Sequence, residues 1–339
     1  MSRFIDLARK AAARRSRLPD DWNDWRQVDR EQGPRPFQVL TVTSNKGGVG
    51  KTTVATNLAV YFRALREDLP ILLLGLDDQT TIDRMFELGP KTSGETMTSA
   101  LRARSFTSAV HLGQYGVHYV PSGPDIAELK REISDPFYLQ AVLHRTDWHG
   151  LIIIDTKSDL EILSQNAIAA SDLTIAVVTD HASLTEAKKV FDLLDTWKRP
   201  HERARILLSL VDRRIKFRDS ESRDVLSLLI SEIRRLDYPL FESFLSRSPK
   251  VESLQTNPAG RTLSILNAGK GSLVYRQMRH LADDVLNVLD ESRSAGGSRG
   301  SLVAAASRLL RGDTDEFWGD PLLNAGAAGK VESPAVEHV

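Results

Sequence analysis

Gln38-Val39-Leu40-Thr41-Val42-Thr43, then Ser44, then Asn45-Lys46-Gly47-Gly48-Val49-Gly50-Lys51-Thr52-Thr53, then Val54-Ala55-Thr56-Asn57-Leu58-Ala59-Val60 follow one another without interruption. An apolar run, a glycine-rich turn and a helical pattern in this order predict a strand, a loop and a helix start, the arrangement of a phosphate-binding loop. Glycines at 47, 48 and 50 let several backbone N–H groups converge on one phosphate chain. The helix beginning near Lys51 adds its positive end. Lys51 supplies a charge for the β- and γ-phosphates, and the Thr52 hydroxyl is placed to coordinate Mg²⁺. Residues 46–53 are thus the candidate nucleotide-binding set.

The general pattern G-x-x-x-x-G-K-[ST] requires glycine at 45, where this chain has asparagine, a residue that tolerates a left-handed backbone. What stands instead is K-G-G-x-G-K-T-T, with Lys46 ahead of Lys51. This run resembles the deviant Walker A motif of the ParA/MinD superfamily of ATPases. The resemblance implies ATP and Mg²⁺ as cofactors and a nucleotide sandwich homodimer, in which Lys46 reaches across to the partner's phosphates.

Two further carboxylates fall where the family carries them. Ile71-Leu72-Leu73-Leu74-Gly75-Leu76-Asp77-Asp78-Gln79 occupies the place of a strand ending in D-x-D-P-Q. Asp77 then matches the aspartate that positions the attacking water, so Lys46, Lys51 and Asp77 form the expected catalytic set. Gly75 replaces the usual first aspartate and Asp78 the usual proline, and slow turnover is the expected consequence. Leu151-Ile152-Ile153-Ile154-Asp155-Thr156 resembles the Walker B strand, whose carboxylate, here Asp155, holds Mg²⁺ with Thr52. Lys157 and Ser158 follow, where the family usually has small residues or proline.

Composition closes other routes. The 339 residues are 41% hydrophobic and 27% charged, with zero formal net charge and no cysteine. Without cysteine there is no cluster ligation, thiolate metal site or cysteine nucleophile. This sets aside the superfamily branches that resemble nitrogenase iron protein, iron–sulfur carriers, arsenite and tail-anchor ATPases and glutamine-dependent amidoligases. No apolar run is long enough for a membrane span, and no secretory h-region opens the chain. A cytoplasmic, nucleoid-associated protein is the expectation.

Three segments are read along the chain. Residues 1–36 are an extension with Arg3, Arg9, Lys10, Arg14, Arg15 and Arg17 in its basic half, an acidic half from Asp20 to Glu31, and a linker at Gly33-Pro34-Arg35-Pro36. Its basic half fits an unstructured tail, extra DNA contact, or a short amphipathic helix for a partner or membrane. Residues 37–292 form the ATPase domain. Strands are predicted at 38–44, 71–76, 117–121, 151–155, 173–179, 206–211 and near 238–241, and helices at 51–66, 125–133, 158–170, 183–197 and 220–236. Continuous apolar strands alternating with helices predict a doubly wound, mostly parallel α/β sheet flanked by helices, as in P-loop NTPases. Residues 293–339, rich in Gly, Ala and Ser, read as a mostly disordered tail.

Basic residues gather late. Residues 198–250 hold thirteen Lys/Arg against eight Asp/Glu, including Arg213, Arg214, Lys216 and Arg218, and Lys270, Arg276 and Arg279 follow. The resemblance implies non-specific DNA binding by such residues on the ATP-bound dimer, through phosphates and therefore salt-sensitive. A solvated helix face explains any single one of them equally well. The implied function is positioning or segregation of a cargo such as a plasmid, chromosome or protein cluster, with hydrolysis stimulated by a ParB-like or other adaptor. The alternative is a MinD-like, membrane-associated regulator of division-site placement. The chain ends Ala335-Val336-Glu337-His338-Val339 rather than in a basic amphipathic helix, so stable membrane binding is not expected. No tyrosine follows Tyr275, which sets aside a related tyrosine kinase.

Overall fold

The computed structural model describes residues 35–77, 80–88, 94–123, 125–212, 224–254 and 262–296, with side chains to Arg293. The elements run β1 (Phe37–Thr43), α1 (Lys51–Leu65), β2 (Ile71–Gly75), α2 (Thr81–Phe86), α3 (Met97–Ala103), β3 (His111–Leu112), β4 (His118–Tyr119), α4 (Ile126–Glu132) and α5 (Tyr138–His144). There follow β5 (Gly150–Asp155), α6 (Ile162–Ala170), β6 (Leu173–Val178), α7 (His181–Thr196), β7 (Ala204–Leu208), α8 (Val225–Arg235), α9 (Pro249–Ser253), α10 (Ile265–Ala268) and α11 (Leu273–Gly296).

Strand order is β3-β4-β2-β5-β1-β6-β7. Every pairing is parallel except β3 with β4. The period-two geometry of a strand explains why β5 is apolar throughout. Leu151 and Ile153 face the layer formed by α1 and α11, while Ile152 and Ile154 face Leu101, Leu129 and Leu163 on the other side. Buried on both faces, such a strand has no position for a polar residue until it ends at Asp155.

Register then builds the site. Val42 pairs with Asp155 across β1 and β5, and Gly75 pairs with Asp155 across β2 and β5. From β1 the chain crosses through α1 to β2 on one side of β5, whereas from β5 it crosses through α6 to β6 on the other side of β1. The crevice at the carboxyl ends of β1 and β5 is the switch point at which doubly wound sheets bind ligands.

Several boundaries differ from the sequence reading. Of the strand expected at 117–121 only His118–Tyr119 forms, and its antiparallel neighbour β3 is additional. The helix expected from 158 begins at Ile162, because the Asp159 carboxylate takes the Glu161 N–H and the Ser164 hydroxyl, both at 3.1 Å, and holds 156–161 as a loop. The strand expected at 238–241 is reduced to a single pairing of Leu240 with Ile206. Helix α11 was not among the expected helices, although Val274, Met278, Leu281, Val285 and Leu289 recur at helical spacing and are all buried. It runs from Leu273 to Gly296. Residues 1–34, 297–339 and 213–223 lie outside the described residues, and with them Arg213, Arg214, Lys216 and Arg218.

Candidate functional site

The loop after β1 delivers what its glycines promise, though at fewer positions than expected. Gly48 has φ 73° and Gly50 has φ 92°, both closed to most side chains. Gly47 keeps an ordinary backbone, and an added Cβ there would lie 3.9 Å from the Ser158 hydroxyl, a normal contact. Asn45 is likewise not left-handed, so the asparagine is no substitute for glycine's conformational freedom. Its amide instead donates to the Glu186 carboxylate of α7. Gly50 ends the loop as the N-cap of α1, with no side chain capping the helix. The first N–H groups of α1 therefore face the cleft as an anion site.

The two lysines of this loop have different surroundings. Lys51 is 6% exposed. Its ammonium donates to the Ser158 hydroxyl at 2.6 Å and to the Lys46 carbonyl at 3.4 Å. Burial pulls its pKa below the ordinary lysine value, opposed by the charges of Asp155, Asp77 and Asp159. Lys46 instead lies at the lip, its side chain 38% exposed, in an ion pair with Asp180.

Asp155 is the buried anion of the site. Removal from water pushes its carboxyl up to about 7, the Thr52 hydroxyl and Lys51 pull it back, and Asp77 pushes it further up. Its Oδ1 is buried without a hydrogen-bond partner. An orphaned carboxylate oxygen beside a threonine hydroxyl is a hard-oxygen donor set that fits Mg²⁺. Asp77 lies at the end of β2 on the same cleft wall as Thr81. At Gly75 an added Cβ would come within 2.8 Å of Ile82 Cδ1. The place of the missing aspartate is filled by an isoleucine.

These groups line one cleft of about 760 Å³. The fold thus brings together Lys46, Gly47, Gly48, Val49, Gly50, Lys51, Thr52, Thr53 and Asp77 on its walls, with Asp155 beneath. The far wall is one that motif reading left without a role. Ser209 and Leu210 follow β7, and Leu245, Ser246 and Arg247 run beside them, joined by Val211 N–H to Leu245 O at 3.0 Å and Arg247 N–H to Val211 O at 3.0 Å. Val274 and Met278 of α11 complete it. Sequence reading also missed Asp180, signalled by the helix-capping pattern Asp180-x-x-Ser183.

Of the expected DNA-binding residues within the described part, Lys270 and Arg276 are exposed. Arg279 turns inward: its Nε is buried and its charge acts on Tyr61 and Asp283.

Known proteins match much of the chain. The family described as AAA domain matches residues 37–206, half of the chain. A ParA family protein of Mycoplasma pneumoniae is 22% identical over 270 residues, covering 74% of this chain and 98% of that one. A putative plasmid partition protein of Borrelia burgdorferi, solved bound to AMPPNP, superposes with TM-score 0.58 at 19% identity over 74% of this chain and 98% of its own. The septum site-determining protein MinD of Pyrococcus horikoshii, solved with Mg-ADP, does so with TM-score 0.58 at 19% identity over 76% and 98%. The doubly wound sheet, the two-lysine loop and these matches agree: the chain belongs to the AAA domain family and is a P-loop ATPase of the ParA/MinD superfamily.

Proposed function

We propose that the chain is a ParA-like ATPase that dimerises around ATP, binds DNA without sequence preference, and positions or segregates a cargo. The observation that carries this reading is the division of labour between two lysines five residues apart. Lys51 is enclosed with the carboxylates, where it serves its own nucleotide. Lys46 sits at the rim on an exposed ion pair, free to exchange Asp180 for a phosphate presented by a second copy. An exposed pair of this kind contributes at most about 1 kcal/mol, so the exchange is cheap.

Mg²⁺, held by Thr52 and Asp155, would neutralise charge on the β- and γ-phosphates. Asp77 would orient the attacking water, and the N–H groups at the start of α1 would cradle the phosphate chain. Hydrolysis then acts as a timer, because the ATP state alone bridges the two copies. Lys270 and Arg276 offer the exposed charge for DNA phosphates, and a ParB-like or other adaptor would accelerate turnover.

The test compares Lys46→Ala with Lys51→Ala. Lys46→Ala should retain nucleotide binding yet remain monomeric with AMPPNP in sedimentation velocity, whereas Lys51→Ala should lose binding. An AMPPNP-dependent dimer in the Lys46 variant would refute the sandwich reading. In parallel, the AMPPNP form should bind random-sequence DNA salt-sensitively and leave anionic liposomes unbound; the reverse result would favour the membrane-associated alternative.

A further inference from the structure

The loop after β5 meets the phosphate-binding loop where Ser158 contacts Lys51. The ammonium has three protons; one goes to the Ser158 hydroxyl at 2.6 Å and one to the Lys46 carbonyl at 3.4 Å. Accepting that proton leaves the hydroxyl of Ser158 its own proton to donate. Ser158 is exposed at the cleft wall and faces Gly47.

Its neighbours do not share this freedom. Leu160 is fully buried. Asp159 and Glu161 both receive Lys130 of α4, at 2.8 and 2.6 Å, and Asp159 also accepts from Ser164 and the Glu161 N–H. These contacts fix the loop on its outer side and hold Ser158 over the mouth of the cleft. The hydroxyl therefore stands where the terminal phosphate must arrive if Lys51 is to meet it.

We propose that Ser158 is a positioning and specificity-determining residue that orients the Lys51 ammonium beside the phosphate-binding loop and donates its own hydroxyl proton to the γ-phosphate. The proposal rests on the ATPase reading above and adds to it a means by which this chain would distinguish ATP from ADP. A carbon side chain at 158 could neither hold the ammonium nor donate to the phosphate. A nucleoside diphosphate, lacking the terminal group, would leave Lys51 on Ser158 and draw little from the contact.

The experiment measures Mg²⁺-dependent Kd for AMPPNP and for ADP on the full chain and on Ser158→Ala, Ser158→Thr and Ser158→Asp. In Ser158→Ala, AMPPNP affinity should fall about tenfold or more, the scale of one hydrogen bond to a charged group, with ADP affinity changed less than about twofold. Ser158→Thr, which keeps the hydroxyl, should restore most of the AMPPNP loss. Ser158→Asp should lose more than Ser158→Ala, because a carboxylate both retains Lys51 and repels the phosphate. Equal losses for both nucleotides would indicate a loop scaffold and overturn the proposal, as would unchanged AMPPNP binding in Ser158→Ala or no recovery in Ser158→Thr. If the unaltered chain bound neither nucleotide, the ATPase reading itself would fall, a result distinct from all of these.

Discussion

Asp180 holds Lys46 with one carboxylate oxygen while its other oxygen caps helix α7 through the Ser183 N–H at 2.8 Å. The residue that stabilises a helix start thus also holds the lysine proposed to serve a partner's nucleotide. Burial works to raise the Asp180 carboxyl, but the bonds from Lys46 and from the Ser183 N–H and hydroxyl outweigh it and hold it down to about 2.

Asp180→Asn should retain the cap, since asparagine caps as well as aspartate, and release Lys46. AMPPNP-dependent dimerisation, followed by sedimentation, should occur at about three- to fivefold lower protein concentration, the equivalent of an exposed ion pair. The pH dependence has a fixed sign. A carboxyl depressed by folding adds stability above its unfolded pKa of about 4 and loses it as pH falls toward the folded value. The difference in urea-unfolding free energy between the unaltered chain and Asp180→Asn should stay level from about pH 5 to 8 and shrink from about pH 4 toward 2.

Asp77→Ala removes the carboxylate proposed to orient the attacking water. Turnover should drop by about 10²-fold or more, the usual contribution of a positioned base, with AMPPNP-dependent dimers persisting. Phosphate release measured beside sedimentation checks both, and undiminished release would remove Asp77 from the catalytic set.

Asp155→Asn should separate stability from function. It replaces a buried carboxylate, whose Oδ1 has no partner, with a neutral amide. Without nucleotide, thermal or urea stability at neutral pH should hold or rise by about 1–3 kcal/mol, the cost of burying an uncompensated polar group. The extra stabilisation that Mg²⁺ gives to the ATP-bound chain should disappear, and calorimetry with and without the metal would measure it.

Gly75→Ala tests why the family's first aspartate is missing. The new Cβ meets Ile82 Cδ1 at 2.8 Å, and because that atom is the far end of a side chain it can swing aside at a cost of about 1 kcal/mol or less. Gly75→Asp should be worse, since it adds a like charge in register with Asp155. Gly75→Asp paired with Ile82→Ala should recover more stability than the two single changes predict.

Arg276→Ala should weaken binding to random-sequence DNA and reduce the slope of log K against log salt by about one. Arg279→Ala should instead lower thermal stability, because its Nε is buried. Titrations at several salt concentrations, beside a melting curve, distinguish the two.

How much of this was legible follows from the range of each interaction. The loop, α1, β5 and the two carboxylates are local patterns, in which a few neighbouring residues set both conformation and chemistry, so Lys51, Thr52, Asp77 and Asp155 could be named from their order. The Ser158 and Asp180 contacts join residues 107 and 134 positions away, and no periodicity encodes them. The far cleft wall, Ser209–Leu210 against Leu245–Arg247, receives no role in the sequence for the same reason, although 210–214 and 244–248 are stretches that resemble the family. It is built by backbone pairing, which leaves little trace in side-chain type. Asn45 misled because its left-handed tolerance is real but unused, and a contact with distant Glu186 accounts for it.

Val42, Gly75 and Asp155 occupy one row across three hydrogen-bonded strands. That row works as a ruler. Connections away from the cleft can lengthen or shorten without altering the spacing of the groups that follow it, so insertions there should leave the chemistry in place. One residue added within β5 would turn Asp155 to the opposite face and take the carboxylate from Lys51. Loops away from the cleft should thus tolerate insertion while strands and the two cleft loops should not, and a scan of single-residue insertions should divide along that line.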